Sequence, residues 1–213
     1  MTLFFPKRLV LTILFLIGIG GNAICISQEN EQIKRLQRTI FIYNFAQQVS
    51  WPNALDITTF KIGVLGPDRT VIDLHAMAQK RKIGVLPVEI VRFQKIKDID
   101  GVQLLYVNND FNFDIGYILT KISNKGILLV TEDYAYNSSM INMVNVGDSF
   151  EYEVNRSNLE GAGFKVSSSL FQHAVSDAEK WKELYKASEA TRLESEKEQL
   201  ELLENKESEI SPR

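Results

Sequence analysis

The sequence predicts an α/β fold, a three-layer sandwich with a mixed, mainly parallel sheet, followed by a charged C-terminal helix. Short, continuously apolar runs alternate with amphipathic segments, which is typical of parallel strands covered by helices on both faces. Two later β-type runs are separated only by Gly147-Asp148, which indicates an antiparallel hairpin. From Ser176 to Glu209 the chain has no Gly or Pro and is rich in Glu, Lys and Leu, as expected for a charged helix.

The beginning of the chain has the composition of a secretory signal peptide. Lys7 and Arg8 precede an uncharged run over 9–19, and small residues follow. We therefore expect a signal peptide at 1–27 that directs the protein to the periplasm. Cleavage removes this apolar segment, so no membrane span is expected afterwards.

The position of cleavage and the fate of the apolar segment have alternatives. The small-residue rule permits cleavage after Ala23 or after Ser27. A lipoprotein would instead be acylated at Cys25. An uncleaved anchor over 9–26 is barely long enough to cross a bilayer.

The predicted domain, 28–175, begins with a helix and continues with alternating strands and helices. Apolar side chains recur at helical spacing from Glu31 to Ser50, and Pro52 forces the preceding Trp51 out of helical geometry. Apolar runs bounded by turn residues predict strands at Phe60–Leu65, Val88–Phe93, Gln103–Val107, Ile127–Thr131, Met140–Val146, Ser149–Asn155 and Phe164–Ser168. The predicted helices among them are Val71–Lys80, Asp114–Ser123 and a short one around Leu159.

The acidic tail, 176–213, carries a possible association seam. Leu193, Leu200, Leu203 and Ile210 follow a seven-residue repeat, which is the spacing of a short coiled coil. Such a seam would pair with itself in a homodimer or with a helix of a protein partner. The alternative is a solvated helix with a frayed end.

Charge and cysteine content exclude several classes of function. The formal net charge is -3, and the signal and the tail account for most of the imbalance, so the central domain is nearly neutral. It has no basic stripe of the kind that binds nucleic acid. Cys25 is the only cysteine, so an intramolecular disulfide is excluded.

The residues that carry chemistry in enzymes are sparse. His75 and His173 are the only histidines, they lie on separate predicted helices, and they lack a local metal-binding spacing. The sequence contains no Gly-x-Ser-x-Gly turn for a nucleophilic serine. We therefore expect no catalytic residues, no metal ligands and no cofactor.

Three acidic residues follow predicted parallel strands and should approach one edge of the sheet. They are Asp68, Asp110 and Asp133. Ligands of open α/β sheets bind at the carboxyl edge, where three carboxylates suit Mg²⁺ or Ca²⁺. The favoured interpretation is simpler, because acidic residues also cap the helices that begin there.

Three motifs stand out along the predicted domain. The first is Tyr43-Asn44-Phe45-Ala46 followed by Val49 and Trp51-Pro52. The second comprises Met140-Ile141-Asn142, Val144 and the run from Phe150 to Asn155, and the third runs from Gly163 to Leu170. In this order and spacing, from about Lys34 to Val175, the three motifs resemble those of the YfiR family (DUF4154-like).

The resemblance implies a periplasmic α/β regulator in cyclic-di-GMP signalling that binds a membrane-bound diguanylate cyclase or sensor histidine kinase. It also marks motif residues as candidates for partner binding: Tyr43, Asn44, Phe45, Trp51, Pro52, Asn142, Asn155, Ser167 and Ser168. The chain departs from some relatives because it cannot form their disulfides and because it carries the long acidic tail.

Trp51 has two interpretations, since an aromatic residue beside a rigid turn serves either as a core lid or as an interface anchor.

For the whole chain, a regulatory binding protein is the first hypothesis. A cell-envelope receptor for a small ligand is the alternative, with the ligand at the carboxyl edge of the sheet. An enzyme with an unrecognised site comes third.

Overall fold

The computed structural model describes residues 32–52, 57–147 and 149–210, the last four without side chains. The predicted signal peptide lies outside these ranges. Among the described residues, none of the helices has the length and apolar character that crossing a membrane requires.

The described chain begins with helix α1, residues 32–48, and then alternates strands with helices. The strands are β1 (Val49–Ser50), β2 (Phe60–Leu65), β3 (Val88–Phe93), β4 (Leu104–Asn108), β5 (Leu128–Glu132), β6 (Ile141–Val146), β7 (Ser149–Val154) and β8 (Lys165–Val166). The remaining α-helices are α2 (Thr70–Ala78), α3 (Ile115–Ile122), α4 (Arg156–Gly161), α5 (Ser168–Gln172) and α6 (Ala178–Ile210). Two 3₁₀ turns lie at Ile96–Asp98 and Asn109–Phe111.

The main sheet confirms the predicted mixed, mainly parallel α/β fold. Its strand order is β3-β2-β4-β5-β6-β7, and every neighbouring pair is parallel except β6 and β7. The predicted hairpin is present, and Val146 pairs with Ser149 across its turn. The chain passes outward from β2 to β3 and returns to β4 on the other side, which makes β2 and β4 the switch point of the sheet.

Helices cover both faces of this sheet. Phe45 of α1 packs edge-on against Tyr152 of β7, with ring centroids 5.0 Å apart. Trp181 of α6 is buried with Val144 of β6, and the register places Val144 on the opposite face from Tyr152. The three layers expected from the sequence are therefore present.

The predicted first helix was two residues too long. Val49 and Ser50 form β1, which pairs antiparallel with β8. The preceding apolar residues continue the helical pattern, so only this distant pairing marks the change. The last predicted strand was also too long, because Ser167 caps α5 by accepting a hydrogen bond from the Ser169 amide at 3.3 Å.

Parallel strands β5 and β6 are joined without a crossover helix. Asn142 holds the short connection in place, since its amide nitrogen donates to the Tyr134 carbonyl at 2.8 Å and its oxygen accepts from Thr131 at 2.9 Å. A single side chain thus satisfies polar groups that a helix would otherwise have satisfied internally.

Candidate functional site

The carboxyl ends of β2, β4 and β5 meet at the edge of the sheet where open α/β folds bind ligands. A cleft of about 470 Å³ opens there between this edge, α1 and α6. Its charged lining is contributed by α1, by the strand ends and by α6, and consists of Lys34, Arg38, Asp110, Glu132, Asp133, Arg192 and Glu196. The cleft therefore contains both signs of charge.

Glu132 is the most buried charge of the cleft, with 2% of its surface exposed. Arg38 donates from Nε and Nη2 to its two carboxylate oxygens, and the Tyr106 hydroxyl donates to Oε2 at 2.7 Å. Burial disfavours the Arg38 cation, but its interactions with Glu132, Tyr106 and Asp68 together outweigh this effect and hold the pKa of Arg38 well above its usual value. Burial and the same carboxylate raise the pKa of Tyr106. This network joins α1 to the sheet.

Asp133 connects the edge of the sheet to α6. Its Oδ1 accepts a hydrogen bond of 3.0 Å from the Ser188 hydroxyl. Burial, followed by the nearby Glu132 charge, raises the pKa of Asp133 to about 7. The docked helix thus shields a carboxyl group that changes charge near neutral pH.

Asp110 makes a second, weaker contact with α6. Its Oδ1 lies 3.7 Å from Nη1 of Arg192, and both side chains are substantially exposed. The Asn109 amide donates to the Asp133 carbonyl at 2.8 Å, so the loops after β4 and β5 are joined here.

The capping interpretation of the three aspartates holds in part for Asp68 and is wrong for the other two. Asp68 directly precedes Arg69, the N-cap of α2, and its Oδ1 accepts from the Thr70 amide at 2.7 Å. Asp110 and Asp133 contact α6 instead of capping a helix, because the tail covers the edge where they end. No group of three or more His, Cys, Asp or Glu side chains in the described residues is arranged to hold a metal ion.

The aromatic residues of the first motif are engaged inside the domain. Tyr43 and Phe45 are buried, and burial raises the pKa of Tyr43 to about 12. Trp51 is half-buried, stacks edge-on against Phe60 at 4.8 Å between centroids, and donates from Nε1 to the Gln103 carbonyl at 2.9 Å. These contacts are those of a core lid.

Asn44 and Pro52, from the same motif, are exposed. The Asn44 side chain has no hydrogen bond to any described residue. It lies four residues after Ile40, on a helix face that also exposes Ile33 and Leu36. Among the motif residues it is therefore a polar group that remains available for a partner.

The motif residues near the end of the domain have structural contacts. Asn155 caps α4 by accepting from the Asn158 amide at 3.0 Å, and its own amide donates to the Asn137 carbonyl at 3.1 Å. Ser167 caps α5, whereas Ser168 is exposed in the first turn of that helix.

Glu153 is a buried residue that alternation along β7 does not predict. Its Oε1 accepts from the Asn137 amide at 2.8 Å and from Asn142 at 3.2 Å. Burial is the largest influence and raises the pKa of Glu153 to about 6. Both faces of β7 are covered at this point, so Glu153 is buried although the alternation of apolar and polar residues along the strand places it on the polar face.

Neither histidine lines the cleft. His75 is exposed on α2, and His173, also exposed, follows α5 with Nδ1 3.0 Å from the Ser169 carbonyl oxygen.

Helix α6 divides into a docked part and a projecting part. From Ala178 to Arg192 it contacts the domain through Trp181, Ser188 and Arg192, and Glu196 in the following turn still lines the cleft. The seam residues Leu193, Leu200 and Leu203 are 60%, 61% and 58% exposed. The side chain of Ile210 lies outside the described part.

A family model described as DUF4154, YfiR/HmsC-like, matches residues 35–175 of the chain, about two thirds of its length. No curated protein matches it.

Proposed function

Because the chain belongs to the YfiR/HmsC-like family, whose members are periplasmic regulators of cyclic-di-GMP signalling, we propose that it is an exported regulator of a membrane-bound partner. The partner is a diguanylate cyclase or a sensor histidine kinase, and control is exerted by protein–protein contact. The signal peptide is removed on export.

The projecting part of α6 is the observation that carries this proposal. An isolated polar helix is marginal in water, so an apolar seam on such a helix needs a second surface. The seam is exposed in the described chain, and its leucines are spaced for a helical partner. Docking of the same helix at the carboxyl edge connects the seam to the domain.

We propose further that the protein is not an enzyme. Within the described residues, Glu132 pairs with Arg38, Asp133 accepts from Ser188 and Asp110 pairs with Arg192. These contacts do not place a nucleophile beside a base. Replacing His75 or His173 with Gln should leave folding and regulation unchanged.

Two measurements together test the regulatory proposal. In the first, the gene for this chain is deleted from its host and the cellular level of cyclic-di-GMP is measured. In the second, the exported protein is crosslinked in the cell envelope and its partner is identified by mass spectrometry. We expect an altered cyclic-di-GMP level and a crosslinked cyclase or kinase. An unchanged level, together with no membrane-bound signalling protein among the crosslinked partners, would overturn the proposal.

The cleft supports a second candidate, a cell-envelope receptor for a small ligand. Its volume of about 470 Å³ falls within the range of small-molecule sites. A polar ligand of mixed charge would bridge α1 and α6. Thermal-shift measurements with periplasmic metabolites, compared between the parent and Arg192→Ala, test this alternative.

A further inference from the structure

The exposed large apolar side chains of the described residues are concentrated on two surfaces. With the exception of Tyr117, they lie on α1, on α2 with the loop after it, or on the projecting part of α6. Single exposed apolar residues are ordinary, but a grouped set marks an interaction surface.

The first surface, which we call the basic face, comprises Ile33, Leu36 and Ile40 of α1 with Lys80, Arg81, Lys82 and Val85 of the loop after α2. The three α1 residues follow the i, i+3, i+7 spacing of one helical stripe. Gln47, farther along that stripe, donates to the Lys82 carbonyl at 2.9 Å and accepts from the Gly84 amide at 3.2 Å. The apolar stripe therefore leads directly into the cationic loop, whose three basic residues are all exposed.

The second surface is the projecting segment of α6, residues 193–210. It contains seven glutamates and two lysines, a net charge of -5. Leu193 and Leu200 have the same seven-residue separation as Ile33 and Ile40, about 10.5 Å along a helix axis. The two stripes thus match in spacing and their surroundings are opposite in charge.

Neither surface covers the other within one chain. In the same structure Leu36 of the basic face is 54% exposed and Leu200 of the α6 segment is 61% exposed. Pairing of α6 with another α6 would bring two segments of charge -5 side by side, and like charges across an interface are costly. Contact between the basic face and the acidic segment avoids this repulsion and adds attraction between unlike charges.

We propose that the basic face of one copy binds the projecting α6 segment of a second copy. Exchange of the two helices produces a twofold dimer in which the same contact occurs twice, and this doubles the buried area. The contact uses the same α6 seam that the proposed function assigns to the membrane partner, so the second copy and that partner would compete for it. Sedimentation of the purified chain therefore tests the dimer separately from regulation.

Charge reversal tests this pairing in the exported full-length chain by sedimentation velocity. One variant carries Lys80→Glu, Arg81→Glu and Lys82→Glu; the other carries Glu194→Lys, Glu201→Lys and Glu204→Lys. Alone, each should raise the dimer dissociation constant at least about tenfold, because both contacts then pair like charges. Mixed in equal amounts they should form a heterodimer, because each contact regains opposite charges.

A control variant places the same charge change elsewhere, with Lys95→Glu, Lys97→Glu and Lys165→Glu, and should dimerise like the parent. Circular-dichroism melting confirms that all variants fold. A loop variant that dimerises like the parent would show that the basic loop is not part of the interface and would overturn the proposal. A parent that stays monomeric at high concentration, or whose basic face binds anionic vesicles instead, would overturn it as well.

Discussion

The Ser188 hydroxyl donates a hydrogen bond of 3.0 Å to Oδ1 of Asp133, and this contact fastens α6 to the loop that follows β5. The two residues are 55 positions apart in the chain. Asp133 also faces Glu132, Asp110 and Arg38.

The free energy of unfolding should fall as the pH rises through the range set by Asp133. Its pKa is about 7 in the folded chain, against an ordinary 3.8, so the folded chain holds the extra proton between these values. The stability that comes from protonated Asp133 is fully present below pH 4, declines between pH 4 and 7, and is lost above pH 7. Urea unfolding at pH 5 and pH 8 measures the decline.

Asp133→Asn provides the matched control, because the amide oxygen still accepts from Ser188 but carries no charge. The variant should become more stable than the parent as the pH rises, by on the order of 3 kcal/mol above pH 7. Glu153 titrates in the same direction in both proteins, so the difference between them isolates Asp133. Parallel pH profiles would contradict this assignment.

Removal of Arg38 should be strongly destabilising. Arg38→Met leaves the Glu132 carboxylate buried without its counter-charge, which costs about 3–5 kcal/mol. Adding Glu132→Gln removes the stranded charge and should recover a large part of the loss. Chemical denaturation of the single and double variants measures both effects. Equal losses in the two variants would show that Arg38 acts through packing alone.

Asn44 and Asn142 should separate partner binding from stability, although both belong to the family motifs. Asn142→Ala removes several buried hydrogen bonds and should destabilise the domain by about 2–4 kcal/mol. Asn44→Ala should leave the melting temperature within about a degree of the parent, yet reduce crosslinking to the membrane partner. Unchanged crosslinking in Asn44→Ala would remove this residue from the partner surface.

The projecting segment should be separable from the docked part of α6. Truncation after Arg192 keeps Trp181 and Ser188 in place, so the domain should remain folded while control of the partner weakens. Truncation after Val175 also removes Trp181, which covers Val144, and should cost about 3–5 kcal/mol of stability.

Point substitutions test the seam in the full chain. Leu200→Ser with Leu203→Ser should weaken regulation, whereas Leu202→Ser, a matched control on the far side of the helix, should not. If both sets regulate like the parent, the tail is a passive solvated helix.

Export with cleavage predicts a defined mass. Intact-mass measurement on envelope protein should give a chain that begins after Ala23 or Ser27. A mass that includes Met1 would indicate an uncleaved anchor, and an added lipid on Cys25 would indicate a lipoprotein.

The parallel strands were predictable because strands buried on both faces appear in the sequence as continuous apolar runs, as in Phe60–Leu65. The β1–β8 pairing was not predictable, since it joins residues more than a hundred positions apart and Val49 also fits a helix. Local pattern carries no information about such a distant partner.

The candidate site was predicted only in outline. Sequence order placed Asp110 and Asp133 at one edge, but their contacts with α6 depend on how the tail docks. The buried Arg38–Glu132 pair was missed because both residues resemble ordinary surface charges. The Lys80-Arg81-Lys82 cluster was missed because the net charge of the whole domain is close to zero, and a net charge does not show where basic residues are grouped.

The division of α6 at Arg192 has a geometric consequence. The segment beyond it, 18 residues long, extends about 27 Å at 1.5 Å per residue. A rotation of the docked part by about 5°, from any rearrangement at Asp133 or Asp110, would swing the far tip by about 2 Å, roughly the displacement by which packed helices shift between signalling states. A helix held at one end would therefore convert a small rotation at the edge of the sheet into a larger displacement at its free tip.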